Sequence, residues 1–512
     1  MQRHILKKNR NFATNFTVRT YIIFMENALR KHKNILLIAI LALFAIGFAL
    51  LVFFNYSNYR MSCLDYGLYT KTLYDYAHLR ICDSSIFLWG SQPILRDHFD
   101  LYLVIFSPFA YLFGQYTLMI IQIIAVIFGG YGIYKLTELY SQKTWLALVA
   151  TISFLSSFGI WHALSFDYHS NVVAAMLFPW LLYCFRKERY GLAFFVGIMM
   201  SLAKETIPLW LIFTALALMW DYRKNKKALL WLCGLLLYSA VYFIATTKFI
   251  MPLLGDHNPG WWRYEWLGRD FMEMASNLIR HPFDTLTLLV CAPNSTVIKP
   301  LKIEFYICCL ASGLLLLCLK PNYLLMLIPM LAQKMFSADE GFWGVSYQYN
   351  IEIVTVLACG CFVVLSEFKK TKIQSATAIL TVLLVIVTTF YTVGNPRCHI
   401  WKDRTRIFST KHYSQCDFNK ATLRRCLKRI PEDASVCANT FFVPRLACRD
   451  SIYVFPMGLA HPTEYFLLAK HHWSYYEGDE TTIEQMVNDT IGWKIIDGDN
   501  DIVLLQRKKN GT

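Results

Sequence analysis

Ionisable side chains with the makings of a reactive site stand in short clusters between long apolar runs. The segment Ser62–Asp100 opens on Cys63-Leu64-Asp65-Tyr66-Gly67-Leu68-Tyr69 and closes on Arg96-Asp97-His98-Phe99-Asp100. Further on come Ser165-Phe166-Asp167-Tyr168-His169 and, inside the apolar interval 191–220, Lys204-Glu205. A carboxylate such as Asp65 takes the proton of an attacking hydroxyl or holds a divalent metal against a diphosphate. Asp97, His98 and Asp100 within five residues suit a metal, as do Asp167 and His169. An ionisable pair in an apolar hairpin is costly unless it is paired or functional, so Lys204 is a candidate for binding a lipid phosphate with Glu205 as its partner.

Each cluster also has a plainer explanation. A helix over Leu64–Leu79 puts Asp65, Tyr69, Thr72 and Tyr76 on one stripe with Asp75 nearby, yet Asp at a helix start is also a common N-cap. Asp97, His98 and Asp100 fit a helix start equally well, and Asp167 with His169 fits a solvated turn. Lys204-Glu205 fits a local ion pair at the hairpin turn. His257, Trp261, Trp262, Arg263 and Tyr264 either stack on sugar rings or form an aromatic belt at the membrane interface. Glu340, Tyr347, Gln348 and Tyr349 carry the same ambiguity.

The elements that must position these residues are membrane helices. Of 512 residues, 56% are hydrophobic and 17% charged, too little charge to cover a soluble protein of this size. Ile35–Phe54, Thr117–Tyr134 and Ala228–Phe249 reach the roughly 20 apolar residues that cross a bilayer core. The net charge of +15 does not point to nucleic acid, because Lys and Arg gather in short segments between apolar runs, as the positive-inside bias requires. Followed by charge, the chain reads as a basic cytoplasmic tail (1–33), a transmembrane region (34–393) of about 11 spans, and a small α/β domain (394–512) on the outer side. Outer loops fall at 55–100, 251–301 and 336–350. Leu101–Phe113, about 20 Å as a helix, is short for a span and reads as interfacial or re-entrant. The interval 191–220 reads as two short helices turning near Lys204-Glu205, which keeps the basic clusters on either side of it in the cytoplasm. In the tail, a helix is expected at Asn419–Arg429 and strands at Ser435–Ala438, Ile452–Phe455, Tyr465–Leu468, Trp493–Ile496 and Asp501–Gln506. Seven of the 15 cysteines lie in apolar runs. Cys63 and Cys82 share the first loop, where an oxidising compartment would permit a bridge, as it would among the tail cysteines.

In this order and spacing the motifs resemble a bacterial family of predicted membrane proteins known as DUF2079. The resemblance rests on Asp65–Tyr69, Asp97-His98-Phe99 with Ser107-Pro108, Gln122, Phe166-Asp167-Tyr168-His169, Lys204-Glu205, Arg449 and Ile452-Tyr453-Val454-Phe455-Pro456. Ser170 and Arg445 depart from the family pattern, which tends to Asp-Phe-His-Pro at the first position and Pro-His before the tail arginine. The family is similar in plan to the GT-C glycosyltransferases, which use polyprenyl-phosphate sugars at the outer membrane face. The resemblance implies a GT-C-like, inverting sugar transferase of the bacterial inner membrane, with a polyprenyl-phosphate donor and an envelope lipid or glycan acceptor. It makes Asp65 the base or metal ligand, with Mg or Mn as the candidate metal and Asp97 and His98 as further ligands. Tyr69, Asp97, His98, Asp167 and His169 would line the pocket, Glu205 would partner Lys204, and Lys204 with Arg96 or Arg263 would neutralise the donor phosphate. A transporter or flippase of a lipid-linked substrate is the rival from another class. It would gather its charges at mid-bilayer in paired repeats, which this chain lacks. A non-catalytic envelope scaffold is the third alternative.

Overall fold

The computed structural model describes residues 31–87, 90–255, 262–293, 295–395, 397, 404–471 and 479–508. His257 and Trp261 lie outside the described residues. Among the described residues, four helices are long and apolar enough to cross a membrane: Lys31–Ser57, Tyr102–Ser141, Lys226–Leu253 and Thr371–Gly394. The count becomes five if Thr144–Leu155 and Phe158–Ser165, bent by 41° at their break, form one broken span. Shorter apolar helices, Ser170–Arg186, Tyr190–Ser201, Ile207–Asp221 and Ile351–Ser366, complete much of the bundle.

The breaks in this bundle follow from local chemistry. Before Thr117 the second long segment is irregular, with 3-10 turns at Ser107–Phe109 and Gly114–Tyr116, and Gly114 takes a left-handed φ of 51°. Tyr111 and Leu112 on that irregular stretch are exposed. The interval 191–220 is two helices, Tyr190–Ser201 and Ile207–Asp221. Pro208 stands in the first turn of the second helix, where its missing N–H costs nothing. The turn between them packs on the 97–101 segment, since Leu101 N donates to Leu202 O at 2.9 Å and Phe99 N to Glu205 Oε2 at 3.1 Å.

The tail folds on a five-stranded sheet of order β2-β1-β3-β5-β4, with β1 Val436–Ala438, β2 Ile452–Val454, β3 Tyr465–Ala469, β4 Trp493–Gly498 and β5 Ile502–Arg507. β1 pairs in parallel with β2 and β3, while β5 is antiparallel to β3 and β4. Asn419 caps the helix Lys420–Arg429, its side chain accepting from Ala421 N and Thr422 N.

This sheet is not a separate body. The strand residues Val436 and Ile452, with Phe442 and Val443 just after β1, belong to the same apolar core as Tyr56, Cys63 and Tyr66. Cys63 N donates to Thr440 Oγ1 at 3.2 Å, and Arg60 reaches His412 O and Gln415 O at 2.9 and 2.8 Å. A Cβ built on Gly67 would stand 2.9 Å from Val443 Cγ1, so the absence of a side chain there lets the tail close on the turn that carries Asp65.

Candidate functional site

Asp65 lies in a π-helical turn, Cys63–Gly67, that leads into the helix Leu68–Ala77. It is not the cap. Ser62 holds the N-cap position, and the Asp65 carboxylate is met by side chains instead: His169 Nε2 at 3.3 Å from Oδ1 and Ser62 Oγ, which donates to Oδ2 at 3.3 Å. The side chain is 27% exposed. Burial works to raise its pKa, but the hydrogen bond and charge of His169, the charge of Arg404 and the Ser62 hydroxyl outweigh it and hold the carboxyl below its ordinary value. Asp65 is therefore ionised at neutral pH.

Asp167 stands behind this pair, fully buried. Its Oδ2 accepts from Ser62 N at 3.1 Å and lies 3.1 Å from Ser62 Oγ, whose single proton the two carboxylates share, and its Oδ1 lies 3.3 Å from Arg404 Nη1. Burial pushes its carboxyl up to about 6, against the lowering charge of Arg404 and with the raising charge of Asp65. Gln122 straps the loop in place: its Nε2 donates to Asp167 O at 3.3 Å and its Oε1 accepts from His169 N at 2.8 Å. Phe166 stacks on the His169 ring, 5.4 Å between centroids, and so fixes the plane of the imidazole that faces Asp65. Tyr69, one turn on from Asp65, packs edge-on against Tyr168 and His169.

A second cluster forms where the 97–101 segment meets the Leu202–Thr206 turn. His98 Nδ1 is 3.4 Å from Glu205 Oε1, and Lys204 Nζ is 3.4 Å from His98 Nε2. Asp97 Oδ2 lies 3.9 Å from His98 Nε2. Burial favours the neutral form of Glu205, yet the charge and hydrogen bond of His98, with Lys204, pull its carboxyl down to about 2. His98 is raised: burial and Lys204 oppose its charge, and Asp97 and Glu205 overcome them. The local Lys204–Glu205 ion pair does not form. Glu205 belongs to His98 and the backbone, and the half-buried Lys204 ammonium has no carboxylate within ion-pair distance among the described residues. Asp100 sits close by and takes a different role. It accepts from Tyr102 N at 3.0 Å to start the next helix, and from Ser170 Oγ. Burial pushes it up to about 7.

The remaining expected residues fall at the margins. Arg263 pairs with Asp339 and lies 4.9 Å over the Phe342 ring; Phe342 stacks on Tyr349, and Tyr347 meets Phe166 edge-on. Arg263 thus belongs to the rim formed by the 337–350 loop. Arg96 packs beside Gly255, where a Cβ would stand 3.2 Å from its Cδ. The metal set of Asp65, Asp97 and His98 is not assembled. No hydrogen bond or ion pair links Asp65 to the other two, and among the described residues no three His, Cys, Asp or Glu side chains gather as metal ligands. Cys63 and Cys82 are both free, the first buried and the second exposed. Asp75 joins Lys71 at 2.5 Å and Arg80 at 3.0 Å in a network that extends to Asp450. Two cavities, of about 380 and about 530 Å³, border the contact between bundle and tail, and neither is lined by Asp65 or His169.

Two participants escape sequence reasoning. Ser62, directly before the helical stripe, is the residue type expected of an N-cap, which was the available signal. Arg404 follows a charged stretch after the last apolar run and carries no signal at all; only folding brings it to Asp167.

The sequence profile of the family described as a predicted membrane protein (DUF2079) matches residues 55–504. No curated protein matches the chain. Among solved structures it is similar to ArnT from Cupriavidus metallidurans bound to undecaprenyl phosphate, with a TM-score of 0.47 and 9% identity, covering 92% of this chain and 98% of that one.

Proposed function

The chain belongs to the DUF2079 family of predicted membrane proteins, and from that premise we propose that it is an inverting glycosyltransferase working at the outer face of a bacterial inner membrane. The observation that carries the proposal is the Asp65 carboxylate. It is kept ionised and partly exposed at one end of an apolar bundle, and it is aimed by His169 and Ser62 rather than consumed as a helix cap. The donor is a polyprenyl-phosphate sugar and the acceptor an envelope lipid or glycan.

In the transfer step, the acceptor oxygen bonds to the anomeric carbon while the bond from that carbon to the donor phosphate oxygen breaks and the phosphate leaves with the electron pair. Asp65 orients the acceptor hydroxyl and receives its proton. Its low pKa suits an oxocarbenium-like transition state, in which the hydroxyl becomes strongly acidic only late in the step. Lys204, with no carboxylate at ion-pair distance among the described residues, neutralises the charge that develops on the departing phosphate. Tyr69, Asp97, His98, Asp167 and His169 hold the pocket, and Arg263 is kept at its rim by Asp339. Among the described residues the acidic and histidine side chains form no metal-ligand set, so the step is written with protein side chains alone. The accompanying topology has about 11 spans, the 1–33 tail in the cytoplasm and the 394–512 region outside.

The test compares a deletion strain with strains carrying wild type, Asp65→Asn or Asp65→Glu, by mass spectrometry of lipid-linked sugars and envelope glycans. Asp65→Asn is expected to match the deletion, with protein still in the membrane, and Asp65→Glu to retain part of the product. Normal product from Asp65→Asn would remove Asp65 from the mechanism.

A further inference from the structure

The cavity of about 530 Å³ lies away from the Asp65 cluster, where the end of the Lys31–Ser57 helix meets the tail. Phe53, Phe54, Tyr56, Tyr59 and Tyr116 form its aromatic side, and Lys420, Arg424 and Arg445 its cationic side. Aromatic rings of this kind at the end of an apolar helix mark the level of lipid headgroups.

The cations are arranged as a receptor would have them. The helix Lys420–Arg429 divides its basic residues between two faces. Arg425 and Arg429 pair with Asp497 at 3.4 and 3.3 Å. Lys420 and Arg424, one turn apart, face the cavity and have no carboxylate at ion-pair distance among the described residues. Lys420 also stands in the first turn of its own helix, where the dipole disfavours a cation; an anion in the cavity relieves that repulsion. From the opposite wall Arg445 lies 3.7 Å over the Tyr56 ring and donates to Tyr56 O at 3.0 Å. Its Nε is buried with no hydrogen-bond partner among the described residues. Three cations converge on one space beside rings that suit acyl chains and glycerol.

We infer that this cavity binds the phosphate headgroup of an anionic bilayer phospholipid, which fastens the tail to the membrane. The phosphate oxygens accept from Lys420, Arg424 and Arg445, and the chains run down the exposed faces of the Lys31–Ser57 helix and of the stretch holding Tyr111 and Leu112. The site is separate from the proposed transfer site, and its test needs no transfer activity.

The test uses the full chain purified in neutral detergent, mixed with micelles containing phosphatidylglycerol or phosphatidylcholine, with retained lipid counted by native mass spectrometry. Wild type is expected to retain phosphatidylglycerol about tenfold or more over phosphatidylcholine, the scale set by a few cations at a lipid phosphate. Lys420→Gln/Arg424→Gln is expected to lose most of that preference, whereas Lys428→Gln, exposed on the same helix and outside the cavity lining, keeps it. Arg445 is left intact because its packing on Tyr56 holds the fold, and an unchanged melting temperature confirms that the double variant is folded. Equal phosphatidylglycerol retention by the double variant and wild type would overturn the inference. So would displacement of the lipid by equimolar inorganic phosphate, which would make this a site for the free anion.

Discussion

Neighbouring acids at this site are driven in opposite directions by their surroundings, the pattern expected where one carboxylate works and another supports it. Asp65 is lowered by His169, Arg404 and Ser62 against its burial, whereas Asp167 is raised to about 6 by burial despite Arg404. The signs of the pH dependence follow. A lowered carboxyl contributes stability above its unfolded value and loses it as pH falls through the folded value; a raised one contributes most below its unfolded value and loses it as pH rises through about 6. Removing the imidazole in His169→Ala takes away the strongest lowering partner, so the Asp65 pKa rises and the proposed transfer, which needs its charge, should fail at a higher pH. The acid limb of the pH–activity profile should move upward by roughly a unit, the usual size of a carboxylate's response to one close charged partner. An acid limb left where wild type has it would detach His169 from Asp65. Residue types alone marked Asp65, Asp167, His98 and Glu205 as candidates. What they could not give was pairing, because Lys204 and Glu205, neighbours in sequence, meet opposite nitrogens of the His98 ring instead of each other.

Periodicity located the helix that carries Asp65 and the face it shares with Tyr69, since both meet the His169 ring. It did not show that the first turn, Cys63–Gly67, is π-helical. The same turn depends on the tail through Gly67. A Cβ there meets Val443 Cγ1 at 2.9 Å and Ser62 O at 3.5 Å. Gly67→Ala should therefore cost about 1–3 kcal/mol, as overpacking does, and should lower transfer by displacing the Asp65 turn. Gly67→Ala combined with Val443→Ala, which clears the opposing methyl groups, should recover both the melting temperature and the product. Failure of Val443→Ala to recover either would mean that the turn does not rely on this contact. The strands of the tail were legible because alternating and apolar runs bounded by turn residues survive in any context. The buried lysines that tie helix ends and loops together through backbone carbonyls were not. Lys302 donates to Leu288 O, Cys291 O and Met335 O, and Lys334 to Gly344 O, and nothing in their sequence neighbourhood distinguishes them from cytoplasmic lysines.

At the scale of the whole molecule, the turns bearing Asp65, His98, Asp167 and Lys204 converge, and the tail sheet covers the first of them. Hydropathy could place these turns between helices, but bringing Arg404 to Asp167 needs the chain to return from its last apolar helix to the end of its first, where Asn55 Nδ2 donates to Arg404 O at 3.0 Å. That convergence makes sidedness a single question: whichever face holds the tail also holds the candidate site. Cys82 and Cys448 are exposed, the first on the Ser62–Asp100 segment and the second in the tail, whereas Cys318 precedes Lys320 at the far end of a helix from the 291–300 loop. A membrane-impermeant maleimide applied to intact spheroplasts should label Cys82 and Cys448 and leave Cys318 untouched until the membrane is permeabilised, with labelled peptides mapped by mass spectrometry. Although both are solvent-accessible, partial desolvation by the surrounding protein raises the Cys82 and Cys448 thiols, so their labelling should speed up as pH rises from 7 toward 8.5, because the thiolate is the reacting form. Labelling of Cys318 from outside with Cys82 and Cys448 protected would invert the molecule, put Asp65 on the cytosolic side, and withdraw the outer-face polyprenyl-phosphate donor from the proposal.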